Sequence, residues 1–240
     1  KNLRTADSKA SQSFEKLASG KRITKASDDA AGLAIAKKME AESRGMQMAQ
    51  RNANNGISMI QVAEGGLNES GNILTRMREL SVQAASDTVG EKERGYLDLE
   101  YQQLQQEVDR ISKTTTFGGK ELLTGESESG VMEFHVGAYG GEQNKISFDA
   151  AETDATAEGL GISGTGISTR DDASFNLEVL DEAIDKVSGF RANFGSIQSR
   201  LQSTVSNLDT AIVNTEDARS RIEDVDVAQE SAKLASNNVM

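Results

Sequence analysis

Between about Ala30 and Ala85 the chain holds no proline, and small or apolar residues recur at alternating steps of four and three. The series reads Met46, Ala49, Ala53, Gly56, Ile60, Ala63, Leu67, Ser70, Leu74, Met77, Ser81 and Ala84. That spacing marks the buried seam of a long helix lying in a bundle. At 1.5 Å per residue such a helix runs roughly 80 Å, whereas a compact chain of 240 residues is on the order of 45 Å across. The helix does not fit inside a ball, so the expected shape is a rod. Gly45, Gly56, Gly65, Gly66 and Gly71 each cost about 1 kcal/mol against alanine in a helix. Packing has to supply the difference, and small seam residues allow close packing.

The flanking segments fit this frame. Leu3, Ala6, Ala10, Phe14 and Leu17 share one face of an opening helix that stops at Ser19 and Gly20, a C-terminal signal. After a polar loop, Ser27, Asp28 and Asp29 offer N-cap oxygens to the long helix. Ser86 to Gly90 reads as a turn, and Leu97, Tyr101, Leu104, Val108 and Ile111 define a shorter helix. The period then changes to two: Met132, Phe134 and Val136 alternate with Glu133 and His135, and Ile146 and Phe148 resume after the glycine-rich stretch 137–144. This predicts a hairpin. Residues 149–170 read as loop, and a last long helix is expected from Ser174, capped by Asp172 or Ser174, with the seam Leu177, Leu180, Ile184, Val187, Arg191, Phe194, Gln198, Leu201, Val205, Leu208 and Ile212. Both chain ends should lie together, carrying helical segments without an evident core of their own, to be covered by other subunits or by sequence beyond the ends.

The expected fold class is therefore mainly α: an elongated rod of long antiparallel helices, a coiled-coil-like bundle, with a small β-hairpin. Its parts are residues 1–28, an N-terminal helix and connecting loop; 29–112, N-terminal rod helices; 113–173, hairpin and acidic glycine-rich loop; and 174–240, the C-terminal rod helix and helical tail. One core is built from both halves of the chain.

Composition removes whole chemistries. With no Cys and one His, disulfides, thiolate nucleophiles and Cys/His zinc sites cannot be assembled, and a hydrolase triad has only His135 for its base. Aromatic content of 4% leaves little bulk for a thick core. The net charge of -12 argues against a nucleic-acid partner, and no apolar run approaches the ~20 residues of a membrane span. The charge is localised: residues 121–190 hold 15 acids and 3 bases, while the rest holds 23 of each. Half of the 22 glycines fall between 113 and 170. Charge-balanced, self-compatible flanks around an acidic, solvated tip are expected.

Several motifs dissolve on inspection. Gly159, Gly161 and Gly164 spell G-x-G-x-x-G, but no strand precedes them and no amphipathic helix follows, so they read as loop glycines. Asp224, Asp226 and Glu230 lack the central glycine of a calcium loop. The sequon Asn68-Glu69-Ser70 lies in the helix seam. His135 has no placed partner. No catalytic, cofactor or metal residues are assigned, and no enzyme is expected.

Longer motifs carry a resemblance. Leu17 to Ala36 (LASGKRITKASDDAAGLAIA), Arg51 to Ser58 (RNANNGIS), Thr75 to Ala85 (TRMRELSVQAA), Glu107 to Ser112 (EVDRIS), Phe117-Gly118-Gly119, His135 to Glu142 (HVGAYGGE) and Ala218 to Asp224 (ARSRIED) together resemble bacterial flagellin, in that family's order and over nearly the whole chain. The resemblance implies a core fragment without the family's terminal inner-tube segments and with its outer insertion missing or reduced to the loop near 149–172. It implies a structural subunit of the flagellar filament, secreted, self-assembling and serving motility. Its partners would be other flagellin subunits, the export apparatus and a secretion chaperone, hook-associated and cap proteins, and Toll-like receptor 5. The family's receptor patch carries over to Arg76, Leu80, Gln83 and Glu100, with Leu80 as apolar anchor and the charged pair supplying hydrogen bonds. A hook-filament junction protein, or a helical secretion chaperone or adaptor, is the alternative.

Overall fold

The computed structural model describes residues 2–125 and 130–239, without the side chains at 2–6 and 237–239. The side chains of Leu3 and Ala6 on the expected opening face, and Glu126 and Glu128 of the acidic block, lie outside what is described. Among the described residues the helices are α1 (Asn2–Ser19), α2 (Ala30–Ala84), α3 (Glu91–Thr114), the single turn α4 (Ala157–Leu160), α5 (Arg170–Glu223) and α6 (Val227–Val239). Two antiparallel hairpins join β1 (Thr116–Phe117) to β2 (Lys120–Glu121), and β3 (Val131–His135) to β4 (Lys145–Asp149). The mainly helical class and the predicted hairpin are present. A second hairpin was not expected: Gly118 and Gly119 both have positive φ, 60° and 80°, the geometry of a two-residue turn, but two-residue strands are too short to show alternation.

The chain forms two units. Unit 1 comprises residues 1–51, 136–144 and 205–240; unit 2 comprises 52–135 and 145–204. The two long helices contribute to both.

In unit 1, Asp29 caps α2, its Oδ1 accepting from Gly32 N at 2.8 Å, while Asp28 Oδ2 closes the preceding turn by accepting from Thr24 and Lys25. The start of α2 and the end of α5 run antiparallel, with Ser43 donating to Glu216 at 2.6 Å and Gln50 to Asp209 at 2.5 Å. The loop after α1 is clamped to the end of α5. Glu223 O accepts from Arg22 N, Val225 N donates to Gly20 O, and Lys21 Nζ meets the Glu223 carboxylate at 2.5 Å. Terminal helices α1 and α6 pack on each other, and Ser13 donates to buried Glu230 at 2.7 Å. This corrects the expectation that nothing within the chain covers them, although Phe14 remains 67% exposed.

In unit 2, α3 and α5 lie along α2. Arg78 pairs with Asp181 at 2.6 Å and Glu64 with Arg191 at 4.0 Å. All twelve predicted seam residues of α2, from Met46 in unit 1 to Ala84, are buried. Gly56 shows why small residues recur there, since a Cβ would lie 3.0 Å from Phe134 and 3.3 Å from Leu201. In the second hairpin Met132 faces Phe148 and Phe134 faces Ile146, and the Phe148 ring rests 5.0 Å from that of Phe194. Arg94 of α3 reaches back to the carbonyls of Ala84 and Ser86 at 2.7 and 3.0 Å, satisfying the otherwise orphaned end of α2.

Three expectations shift. Helix α5 begins at Arg170, because Thr169 Oγ1 accepts from Asp172 N at 3.1 Å and donates to Asp172 Oδ2 at 2.6 Å; Thr169 is the N-cap, and neither Asp172 nor Ser174. Its seam keeps Leu180, Val187, Phe194 and Leu201 but takes Ala173, Asn176, Ala183 and Ile197, leaving Arg191 exposed. The stretch 149–169 is packed rather than solvated: Ala155, Ile162 and Ile167 are fully buried, Gln105 of α3 donates to Ile162 O at 2.6 Å, and Asp98 accepts from Ile167 N at 2.6 Å.

Candidate functional site

The motifs that suggested chemistry resolve into structure. Gly159 lies within α4, and Gly161 ends it with φ 81°. Asp226 caps α6 by accepting from Ala228 N and Gln229 N, Glu230 is turned into the α1/α6 contact, and Asp224 bridges to Lys21. Ser70 of the sequon is fully buried. The carbonyl of His135 accepts from Asn52 at 3.1 Å, while its imidazole sits on the exposed strand face. An open depression of about 690 Å³ in unit 2 is lined by Asp109, Lys113, Glu121, Asp154 and Glu158. Two of its carboxylates are engaged: Asp109 accepts from Ala157 N at 2.8 Å and Asp154 from Thr156. That backbone N–H, with Lys113 adding to it, holds the Asp109 carboxyl below its ordinary range.

The four residues singled out by resemblance lie along the antiparallel pair α2/α3. Residues two apart on a helix point roughly 200° apart, so Arg78 faces α5 while Arg76 faces α3. Arg76 Nε and Nη2 donate to Glu100 Oε1 at 3.1 and 2.9 Å, and Nη1 donates to Glu79 Oε2 at 3.0 Å. These two carboxylates, Glu79 first, raise the guanidinium pKa further above its ordinary value. About half of each side chain in the Arg76–Glu100 pair is exposed; Gln83 is exposed about two turns on from Arg76. Leu80 is different: at 1% exposure it belongs to the core of unit 2. A side chain in that position cannot meet a partner without repacking, so the anchor role does not fit the geometry. The motif gave no sign of this, because an apolar residue in a seam and one on a contact surface look alike in sequence. The exposed apolar groups of this segment are Val82, Tyr96 at 72% and Leu99 at 64%. Sequence reasoning passed over them, yet their phase, off the Tyr101–Val108 seam, was readable.

Two sequence models cover most of the chain in order. The bacterial flagellin N-terminal helical region matches residues 1–128, and the bacterial flagellin C-terminal helical region matches residues 177–240. The chain belongs to the bacterial flagellin family. Relatives include a flagellin of Halalkalibacterium halodurans, 41% identical over 229 residues that cover 95% of this chain and 83% of the relative. A second is the flagellar filament 31.3 kDa core protein of Treponema maltophilum, 37% identical over 241 residues with the same coverage of 95% and 83%. Among solved structures, the crystal structure of Bacillus cereus flagellin superposes with a TM-score of 0.58 at 30% identity, covering 66% of this chain and 88% of that one. No helix among the described residues is long and apolar enough to cross a membrane.

Proposed function

We infer that this chain is a structural subunit of the extracellular flagellar filament, assembling with flagellin subunits to serve motility. The observation that carries this is the presence of both flagellin helical regions, in order, on a chain whose long helices pair antiparallel. Relatives named as flagellar filament core proteins point the same way. Electron microscopy of filaments from a flagellin-deficient host expressing the full-length protein tests it. Filaments are expected, and cells without any would overturn the reading.

Passage through the flagellar export apparatus with a secretion chaperone, and contact with hook-associated and cap proteins at the filament ends, follow from that role as further proposals. So does recognition by Toll-like receptor 5. What supports the last is an exposed, pre-set ion pair, Arg76–Glu100, beside exposed Gln83, Tyr96 and Leu99. Leu80 acts here by holding α2 in place. Arg76→Ala is expected to weaken receptor binding by more than about 1 kcal/mol, and unchanged affinity in a titration would refute it.

A further inference from the structure

Two exposed helix faces remain without a partner, and they are complementary. On α2 in unit 1, Lys37, Ala41, Arg44, Met48 and Arg51 follow one another at steps of four, three, four and three, and all five are exposed. They therefore form one ridge, which carries three positive charges and a single large apolar residue, Met48, 52% exposed. Lys37 and Arg44 share the neighbouring Glu40, and Arg51 has no ion pair among the described residues. On α5 in unit 2, Asp171, Phe175, Glu178, Glu182 and Asp185 follow at the same steps and are likewise all exposed. This ridge carries four negative charges and one large apolar residue, Phe175, 66% exposed. Asp171 lies 3.7 Å from Arg170, whereas Glu178, Glu182 and Asp185 have no partner among the described residues.

Each ridge spans fourteen residue steps, about 21 Å. We propose that the basic ridge of one copy docks antiparallel on the acidic ridge of a second copy. Antiparallel alignment brings Lys37 to Asp185, Arg44 to Glu178 and Arg51 to Asp171. It also sets Met48 against Phe175, a sulfur–aromatic contact. Parallel alignment would instead lay Met48 on Glu182. Because the two ridges differ, docking occupies one ridge on each copy and leaves that copy's other ridge free. The contact is heterologous and propagates into an open polymer instead of closing a dimer. It thus rests on the filament-subunit reading and names one surface through which assembly proceeds.

The absence of native cysteine gives a direct test. Full-length subunits bearing Met48→Cys are mixed with subunits bearing Phe175→Cys, assembled into filaments and mildly oxidised. A covalent dimer is expected from the mixture, and none from filaments of either variant alone. Filaments that form but yield no dimer overturn the contact, as does a dimer from Met48→Cys filaments alone. Failure of the unsubstituted protein to form filaments instead sinks the subunit reading, and this contact with it. In a second arm, Arg44→Glu or Glu178→Arg alone should cut filament yield at low salt on the order of tenfold through like-charge opposition. The double variant should recover that yield, with helical circular dichroism unchanged throughout. Equal loss in the double variant overturns the pairing.

Discussion

At the scale of single residues, two buried polar groups make opposite statements. Ser70 sits fully buried on the α2 seam, and its hydroxyl has no hydrogen-bond partner among the described residues. Burying an unpaired hydroxyl costs about 1–3 kcal/mol, so Ser70→Ala should raise the unfolding free energy by about 1 kcal/mol, read as a higher denaturant midpoint at unchanged m-value. A lowered midpoint would show that the hydroxyl is satisfied. Glu230 is buried but partnered: the Ser13 hydroxyl, with Lys233 and then Lys16, holds its carboxyl below the ordinary 4.5 against the opposing effect of desolvation. A depressed folded-state pKa contributes stability that is fully present above the unfolded value and lost as pH falls through the folded one. Opening of α1, read by amide hydrogen exchange, should therefore become easier as pH drops below about 4.5. The dependence should be shallower in Glu230→Gln. Neither residue's state could be read from sequence. Ser70 was visible as a seam residue but not as an orphan, and Glu230 looked like an acid at a helix end because its partner lies 217 residues away.

Among the elements, adjacent glycines on α2 separate backbone cost from close approach. A Cβ on Gly65 would meet nothing within 4 Å, whereas one on Gly66 would lie 2.6 Å from Thr115 Oγ1 and 2.9 Å from Leu123 Cδ1. Gly65→Ala should therefore stabilise the isolated subunit by up to about 1 kcal/mol. Gly66→Ala should destabilise it despite the same gain in helix propensity, and thermal melts of the pair distinguish them by sign. The start of α5 offers another check: Thr169→Ala removes the cap and should cost about 1 kcal/mol, while Ser174→Ala should cost much less. Periodicity located α2 to within one residue of its end because a seam of twelve buried positions over five heptads leaves no freedom of phase. It failed at the N-terminus of α5, where several capping residues crowd together and only the chosen one reveals the start. It failed again over 149–169, whose glycines and acids look like solvated loop. Ala155, Ile162 and Ile167 are spaced irregularly, and only their docking on α3 buries them.

For the molecule as a whole, charge follows the units. Unit 1 holds 14 of the 38 acids and 14 of the 26 bases, leaving unit 2 with 24 and 12, so the entire net charge of -12 belongs to unit 2. Lowering ionic strength from about 0.15 M to about 0.01 M lengthens the screening distance from ~8 to ~30 Å. Self-repulsion should then loosen unit 2 alone: exchange protection of Tyr101 and Val108 amides should fall while that of Leu33 in unit 1 holds. Equal loss in both would contradict the partition. By itself the sequence determined the long helices, the buried seam of α2, the β3/β4 hairpin and the family, because each is written in local period or in contiguous motif. Tertiary structure decided which apolar residues face out, and so moved Leu80 from the contact surface into the core. It also decided that α1 and α6 cover each other, and that a row of acids and a row of bases stand exposed on separate helices. Those outcomes depend on which faces meet across long sequence separation, and a one-dimensional period fixes that a face exists without fixing what lies against it.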